Sequence, residues 1–143
     1  MSKGERRFIY LLNIAQRRVQ HWTREKYGDV TAAQAGVLFL LGQADGVLVG
    51  DVARSLGVGA PAATGLVDRM EVADLVERRP DDRDGRAARL FLTAKGRTAQ
   101  VAAKARAQEI NAKLVDGFSD AELDVVARWL VNVRERFSKE MDT

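Results

Sequence analysis

The sequence predicts a mainly α-helical chain interrupted by one small β-hairpin. Three observations carry this: apolar residues recur at three- and four-residue steps over most of the length, the period changes to extended between about residues 75 and 93, and a charged stretch of turn-forming residues divides that extended region. At 143 residues with 46% apolar content, the chain has material for one domain and a core wrapped by helices.

The elements follow in order. Phe8, Leu11, Leu12, Ala15, Val19 and Trp22 mark a first helix that ends near Gly28. Thr31 offers an N-cap oxygen with Gln34 three residues on, and Ala35, Leu38, Phe39 and Leu41 continue a second, largely buried helix. Gly46 to Gly50 suits a strand stub, and Asp51 to Leu56 a short third helix with Val52, Ala53 and Leu56 inward. Gly57 breaks that helix where a left-handed residue is convenient. The fourth helix starts near Ala60 with Pro61 in its first turn, where the missing N–H costs nothing, and buries Leu66, Val67 and Met70. Two helices joined by a tight turn form a helix-turn-helix pattern.

Leu75 to Arg79 and Ala87 to Thr93 read as strands, with Pro80 to Arg86 as the turn. Thr93 caps a fifth helix over Ala94 to about Gly117, whose two apolar stripes predict cover on two sides. Ser119 and Glu122 open a sixth with a capping box, and Leu123, Val126, Ala127, Leu130, Val133 and Phe137 form its stripe. A terminal pair this apolar calls for packing against the first helix of a second chain, which predicts a homodimer.

The net charge of +3 is uninformative as a total, but its placement is not. Between Arg78 and Arg97 lie seven cations (Arg78, Arg79, Arg83, Arg86, Arg89, Lys95, Arg97) against Asp81, Asp82 and Asp84, a local excess of four. Such a patch is an electrostatic footprint for a polyanion, and it is also what a solvated charged hairpin looks like.

Exclusions are sharper. With no cysteine, disulfides, thiolate metal sites and thiol redox switches are out, and one histidine leaves neither a metal site nor a cofactor site to be expected. Ser/His/Asp constellations, phosphate-cradling glycine loops and HExxH are absent, so an enzyme is not expected. Without an apolar run of membrane-spanning length or an apolar stretch after the charged N-terminus, the expectation is a cytoplasmic protein with no membrane partner.

One segment carries a resemblance. Asp81-Asp-Arg-Asp-Gly-Arg86, followed by Ala87-Ala-Arg-Leu-Phe-Leu-Thr-Ala-Lys-Gly96, resembles the wing signature of the MarR (multiple antibiotic resistance regulator) family, D-x-R-[DS]-x-R leading into L-T-x-x-G. Thr31 to Gln34, Asp51 to Leu56 and Gly65 to Glu71 are similar to the starts or bodies of that family's second, third and recognition helices, in the same order. The resemblance spans nearly the whole chain and implies a single domain, 1–143, with a winged helix-turn-helix lobe at 31–97 and dimerisation helices at 1–28 and 98–143. It implies a transcriptional regulator, commonly a repressor, that binds a pseudopalindromic duplex as a homodimer and responds to a small-molecule effector.

By that resemblance Arg83 is the residue inserted in the minor groove, Asp81 orients it, and Arg86 meets phosphates at the groove edge. A guanidinium in a narrow A·T-rich minor groove is favoured by the potential there. Ala60, Pro61, Ala63 and Thr64 are the groove-facing residues of the recognition helix, joined by Arg69 and by Arg54 of the third helix. Arg69 has a second reading, as a partner for Asp68 or Glu71. This helix is alanine-rich where relatives carry polar side chains, so direct base readout is expected to be modest, with Thr64 its best candidate. Asp74 stands where the family commonly has glycine, and Asp tolerates the left-handed turn better than most residues. His21 and Trp22 on the first helix are candidates for an effector pocket, or are simply core. Rival functions are a winged-helix ligand-sensing or protein-interaction module without specific DNA binding, and a nonspecific architectural DNA-binding protein.

Overall fold

Every boundary between helices falls on a residue that cannot easily continue one. The computed structural model describes residues 2–28 and 31–141, and divides into two units, Met1–Ala32 and Ala33–Thr143.

In the first unit a single 3-10 turn, Lys3–Glu5, is closed by the Ser2 N–H donating to the Glu5 carboxylate at 2.8 Å. Helix α1, Phe8–Tyr27, follows and stops at Gly28, whose φ of 84° ends the helical run while its N–H still reaches the Arg24 carbonyl at 2.8 Å. None of its residues is buried, and Ile9 is 79% exposed.

The second unit contains α2 (Ala32–Gln43) from its second residue on, then β1 (Val47–Leu48), α3 (Val49–Leu56), α4 (Ala60–Val72), β2 (Val76–Pro80), β3 (Ala88–Leu92), α5 (Ala94–Val115) and α6 (Asp120–Met141). The strands form one antiparallel sheet in the order β1-β3-β2, with Val47 opposite Leu90 and Arg79 opposite Arg89. The fold class expected from the sequence is the one observed, helices around a small hairpin sheet.

Two boundaries differ from expectation for a common reason. The strand stub is only two residues long, and α3 begins at Val49 rather than Asp51. Val49, Val52, Ala53 and Leu56 are spaced i, i+3, i+4, i+7, so starting early puts all four on one inward stripe. Helix α4 behaves alike, its buried stripe being Ala63, Leu66, Val67 and Met70.

The core is where these stripes meet. Val37, Leu38 and Leu41 of α2, Val52 of α3, Leu66, Val67 and Met70 of α4, Val76 and Leu90 of the sheet and Ala103 of α5 pack as one cluster. Burial of each large side chain among them contributes about 1.5–3 kcal/mol, which is what holds α4 and the hairpin to a common base. Helix α5 buries only Gly96 and Ala103, while Val101 and Leu114 remain exposed. The two-sided cover expected for α5 is therefore not supplied within the described chain.

Gly96 marks the joint between α4, the sheet and α5. A Cβ at this position would lie 1.9 Å from the Leu75 carbonyl oxygen, so no larger residue fits without moving the backbone. Around it the Thr93 hydroxyl donates to the Asp74 carbonyl at 2.6 Å and accepts from the Gly96 N–H at 2.9 Å, and Lys95 Nζ donates to the Ala73 carbonyl at 2.9 Å. The carbonyls of Ala73 and Asp74, just past the end of α4, thus find partners at the start of α5. Asp74 sits between them at φ 59°, the left-handed conformation expected for it.

Candidate nucleic-acid interface

The seven cations between Arg78 and Arg97 do not share one fate. Arg78 reaches across to α4 and pairs with Asp68 and, at 3.5 Å, with Glu71. Arg79 pairs with Glu77 and lays its guanidinium over the Phe91 ring, 4.2 Å from the centroid. Arg89 pairs with Asp81 at 2.8 Å, Arg97 with Asp45 at 3.3 Å, and Lys95 is occupied at the end of α4. Arg83 and Arg86 are exposed, and neither guanidinium has a side-chain partner among the described residues. The two guanidinium groups left without an ion-pair partner are therefore both on the wing tip, beside the carboxylates of Asp82 and Asp84, while the other five cations are engaged elsewhere in the lobe.

The tip itself is a tight, self-bonded turn. The Asp81 N–H donates to the Ala87 carbonyl and the Ala87 N–H to the Asp84 carbonyl, both at 3.0 Å, and the Arg86 N–H donates to the Asp84 carboxylate at 3.0 Å. These bonds hold the backbone and leave the two arginine side chains projecting.

Asp81 does not do what the sequence suggested. Its carboxylate accepts a hydrogen bond from the Arg89 Nε–H and none from the Arg83 guanidinium. The physical reason is register. Arg89 lies on β3 opposite Arg79, beside the start of the turn, with its Nε 2.8 Å from the carboxylate, whereas the Arg83 side chain is exposed. The Asp81 carboxyl is held below the usual carboxylate range, first by the Arg89 hydrogen bond and further by the attraction of that guanidinium and the backbone N–H groups of Arg83 and Asp82, against a desolvation cost.

On α4 the expected groove-facing residues separate. Ala60, Pro61 and Thr64 are exposed, but Ala63 is fully buried and cannot reach a base. Its spacing three, four and seven residues before Leu66, Val67 and Met70 was the signal that would have placed it inward. Arg69 is exposed and has no ion-pair partner among the described residues, since both acids beside it are engaged by Arg78. Arg54 is exposed and paired with Asp51 one turn away.

Thr64, Arg54 and Arg86 come together along one cleft of about 620 Å³ between α3, α4 and the wing, with Leu48, Val49 and Ala88 in its walls. Arg83 and Arg69 do not line that cleft. His21 and Trp22 lie in the first unit; His21 is exposed, and Trp22 is half-buried with its ring edge-on to Tyr27, centroids 6.1 Å apart, and Lys26 Nζ 5.0 Å above it.

Sequence reasoning missed Arg78 and Arg89 as structural residues. Nothing local to them could have shown it, because Arg78 finds Asp68 ten residues away and Arg89 finds the Gly46 carbonyl forty-three residues away.

Among known proteins, residues 28–87 match the family model of the MarR family. No curated protein sequence matches the chain. Solved structures resemble it over nearly their whole length. The transcriptional regulator SlyA shares 19% identity at a TM-score of 0.86, covering 94% of this chain and 96% of that one. CouR, a transcriptional repressor bound to a 23-mer DNA duplex, is 28% identical at a TM-score of 0.79, covering 87% and 90%. BpsR of Bordetella bronchiseptica, solved to explain how 6-hydroxynicotinic acid regulates its DNA binding, is 22% identical at 0.82, covering 94% and 96%.

Proposed function

From the premise that this chain carries a MarR-family winged helix-turn-helix, whose fold is that of transcriptional regulators and not of enzymes, we propose that it binds duplex DNA as a homodimer and represses transcription. The observation that carries the reading is the pair of unpartnered guanidinium groups, Arg83 and Arg86, on a rigid wing tip whose neighbouring cations are all engaged. Arg83 enters a minor groove and Arg86 meets the phosphates at its edge. The exposed start of α4 lies along the adjacent major groove, with Thr64 its one short polar contact and Arg54 and Arg69 on the backbone. Ala60 and Pro61 allow close approach and offer only apolar surface to thymine methyls.

Dimerisation is supported by large apolar side chains left in water. Phe8, Ile9 and Leu11 on α1, Leu114 near the end of α5, Phe118 after it, and Val126, Leu130 and Phe137 on α6 are each 44% exposed or more. A monomer rarely leaves that many exposed. Two lobes joined through these helices would place their recognition helices about 34 Å apart, one turn of duplex. The DNA complex of CouR and the ligand-regulated binding of BpsR support, for this chain, a duplex site and release by a small-molecule effector, with His21 and Trp22 as the candidate contacts. No helix among the described residues is long and apolar enough to cross a membrane, in keeping with action in the cytoplasm.

The test is a duplex selected from a random library, titrated with protein at increasing salt. The expected result is a particle near twice 15.8 kDa by light scattering and an affinity that falls steeply with salt. A monomer, or binding indifferent to salt, overturns the reading. Equal affinity for selected and random duplex would favour an architectural role, and no binding at all a ligand-sensing or protein-interaction module, for which the alanine-rich exposed start of α4 speaks.

A further inference from the structure

Arg89 does not project toward solvent with Arg83 and Arg86. Its Nε donates to the Asp81 carboxylate at 2.8 Å and its Nη1 to the Gly46 carbonyl at 2.6 Å. Asp81 is the first residue of the wing turn, and only 14% of its side chain is exposed. Gly46 closes the turn between α2 and β1 and is fastened to β3 through its own N–H, 2.9 Å from the Leu90 carbonyl. Its φ of 82° is one that side chains rarely adopt, and a Cβ there would press on Phe91 at 3.3 Å. One guanidinium therefore ties the body of the lobe to the root of the wing, where the Asp81 N–H donates across the turn to the Ala87 carbonyl at 3.0 Å.

Register makes the arrangement demanding. Arg79 and Arg89 are directly opposite on β2 and β3, a like-charged pair that would repel. Each is drawn off by its own partners, Arg79 by Glu77 and the Phe91 face, Arg89 by Asp81 and Gly46. A planar fork with two donors set apart serves two acceptors at once, which a lysine cannot do with the same geometry.

We propose that Arg89 is the positioning residue of the wing, fixing the direction in which the tip presents Arg83, without itself touching DNA. This rests on the wing being a DNA-contacting element, as proposed above. Removing the guanidinium would free the wing root to pivot on the β2–β3 ladder. The tip would still carry its charges, but over a wider range of directions, and binding would weaken because the wing is less preorganised, with every phosphate neighbour kept.

The experiment compares the parent, Arg89→Met, Arg89→Lys, Asp81→Asn and the Arg89→Met/Asp81→Asn double variant by two readouts. Amide hydrogen exchange in the free protein reads the wing without reference to DNA. Arg89→Met is expected to speed exchange at Asp81 and Ala87 by about tenfold while the α4 amides stay protected, and Arg89→Lys to recover only part of that protection. Unchanged exchange at the tip overturns the proposal whether or not the chain binds DNA. Duplex affinity measured against salt is the second readout. Arg89→Met is expected to weaken binding by about tenfold with an unchanged salt slope, and the double variant to lose no more than the worse single one. A salt slope shallower by about 0.9, the value of one neutralised phosphate, makes Arg89 a direct DNA contact and overturns the positioning role. Absence of duplex binding by the parent would instead overturn the reading on which the proposal rests, and the exchange data, which need no DNA, keep that outcome distinct from failure of the tie itself.

Discussion

The wing tip and the recognition helix face the same proposed ligand with opposite chemistries. The tip presents two long cations, Arg83 and Arg86, on a turn fastened by three short backbone-anchored hydrogen bonds. The exposed start of α4 presents Ala60, Pro61, Ala62 and Thr64, of which only the last can hydrogen-bond through its side chain. Contacts to phosphates and groove potential give affinity and register, whereas contacts to base edges give sequence preference. The division of chemistry thus separates two properties that many DNA-binding proteins combine in one helix. On the proposed reading, affinity is lodged in the wing, and what preference there is leans on groove shape and half-site spacing.

That contrast can be broken first at its common base. Met70 is fully buried on the inner stripe of α4, in the cluster that also holds the sheet, so Met70→Ala should cost about 2–5 kcal/mol of stability and disable both elements together. Chemical denaturation measures it, and a loss under about 1 kcal/mol would show that the helix and the wing do not share a core. Arg83→Ala should come next, weakening duplex binding by about 1.5–3 kcal/mol with little change in melting temperature, since its side chain touches nothing else among the described residues. An Arg83→Ala protein that binds like the parent would falsify the assignment of affinity to the wing.

Thr64→Ala sharpens the other half. It should shift the ranking of selected duplexes by about 1 kcal/mol while leaving mean affinity nearly constant, as competition binding against variant sites would reveal. A uniform loss across all sites would instead make Thr64 a phosphate contact. The smallest effect lies between the two regions. Asp74 joins α4 to the wing at φ 59°, and Asp74→Gly should raise stability by about 0.5 kcal/mol, relief of strain outweighing the freer unfolded chain. Destabilisation there would mean that the carboxylate has a stabilising role beyond its backbone conformation.

Much of this architecture is legible in local spacing. Pro61 in the first turn of α4, the reciprocal Ser119 and Glu122 cap at 3.0–3.2 Å, Thr93 closing the start of α5 and the strained turn at Asp74 all involve partners within four residues, and each stands where the sequence puts it. Ala63 was legible too, through its spacing with Leu66, Val67 and Met70, once small residues are counted in the apolar stripe. The early start of α3 followed from the same rule applied to Val49.

The charge pattern shows where such reading stops. That cations gather between Arg78 and Arg97 is a property of the sequence by itself, as are the helix order, the hairpin and the acid-rich turn at its tip. Which cations remain available was decided only in three dimensions. Arg78 is neutralised across ten residues, Arg89 bridges forty-three and Arg97 fifty-two, leaving Arg83 and Arg86 exposed. Periodicity follows from the geometry of a single helix or strand and so is written locally, whereas an ion pair depends on which segments the core brings side by side, and no spacing along the chain encodes that.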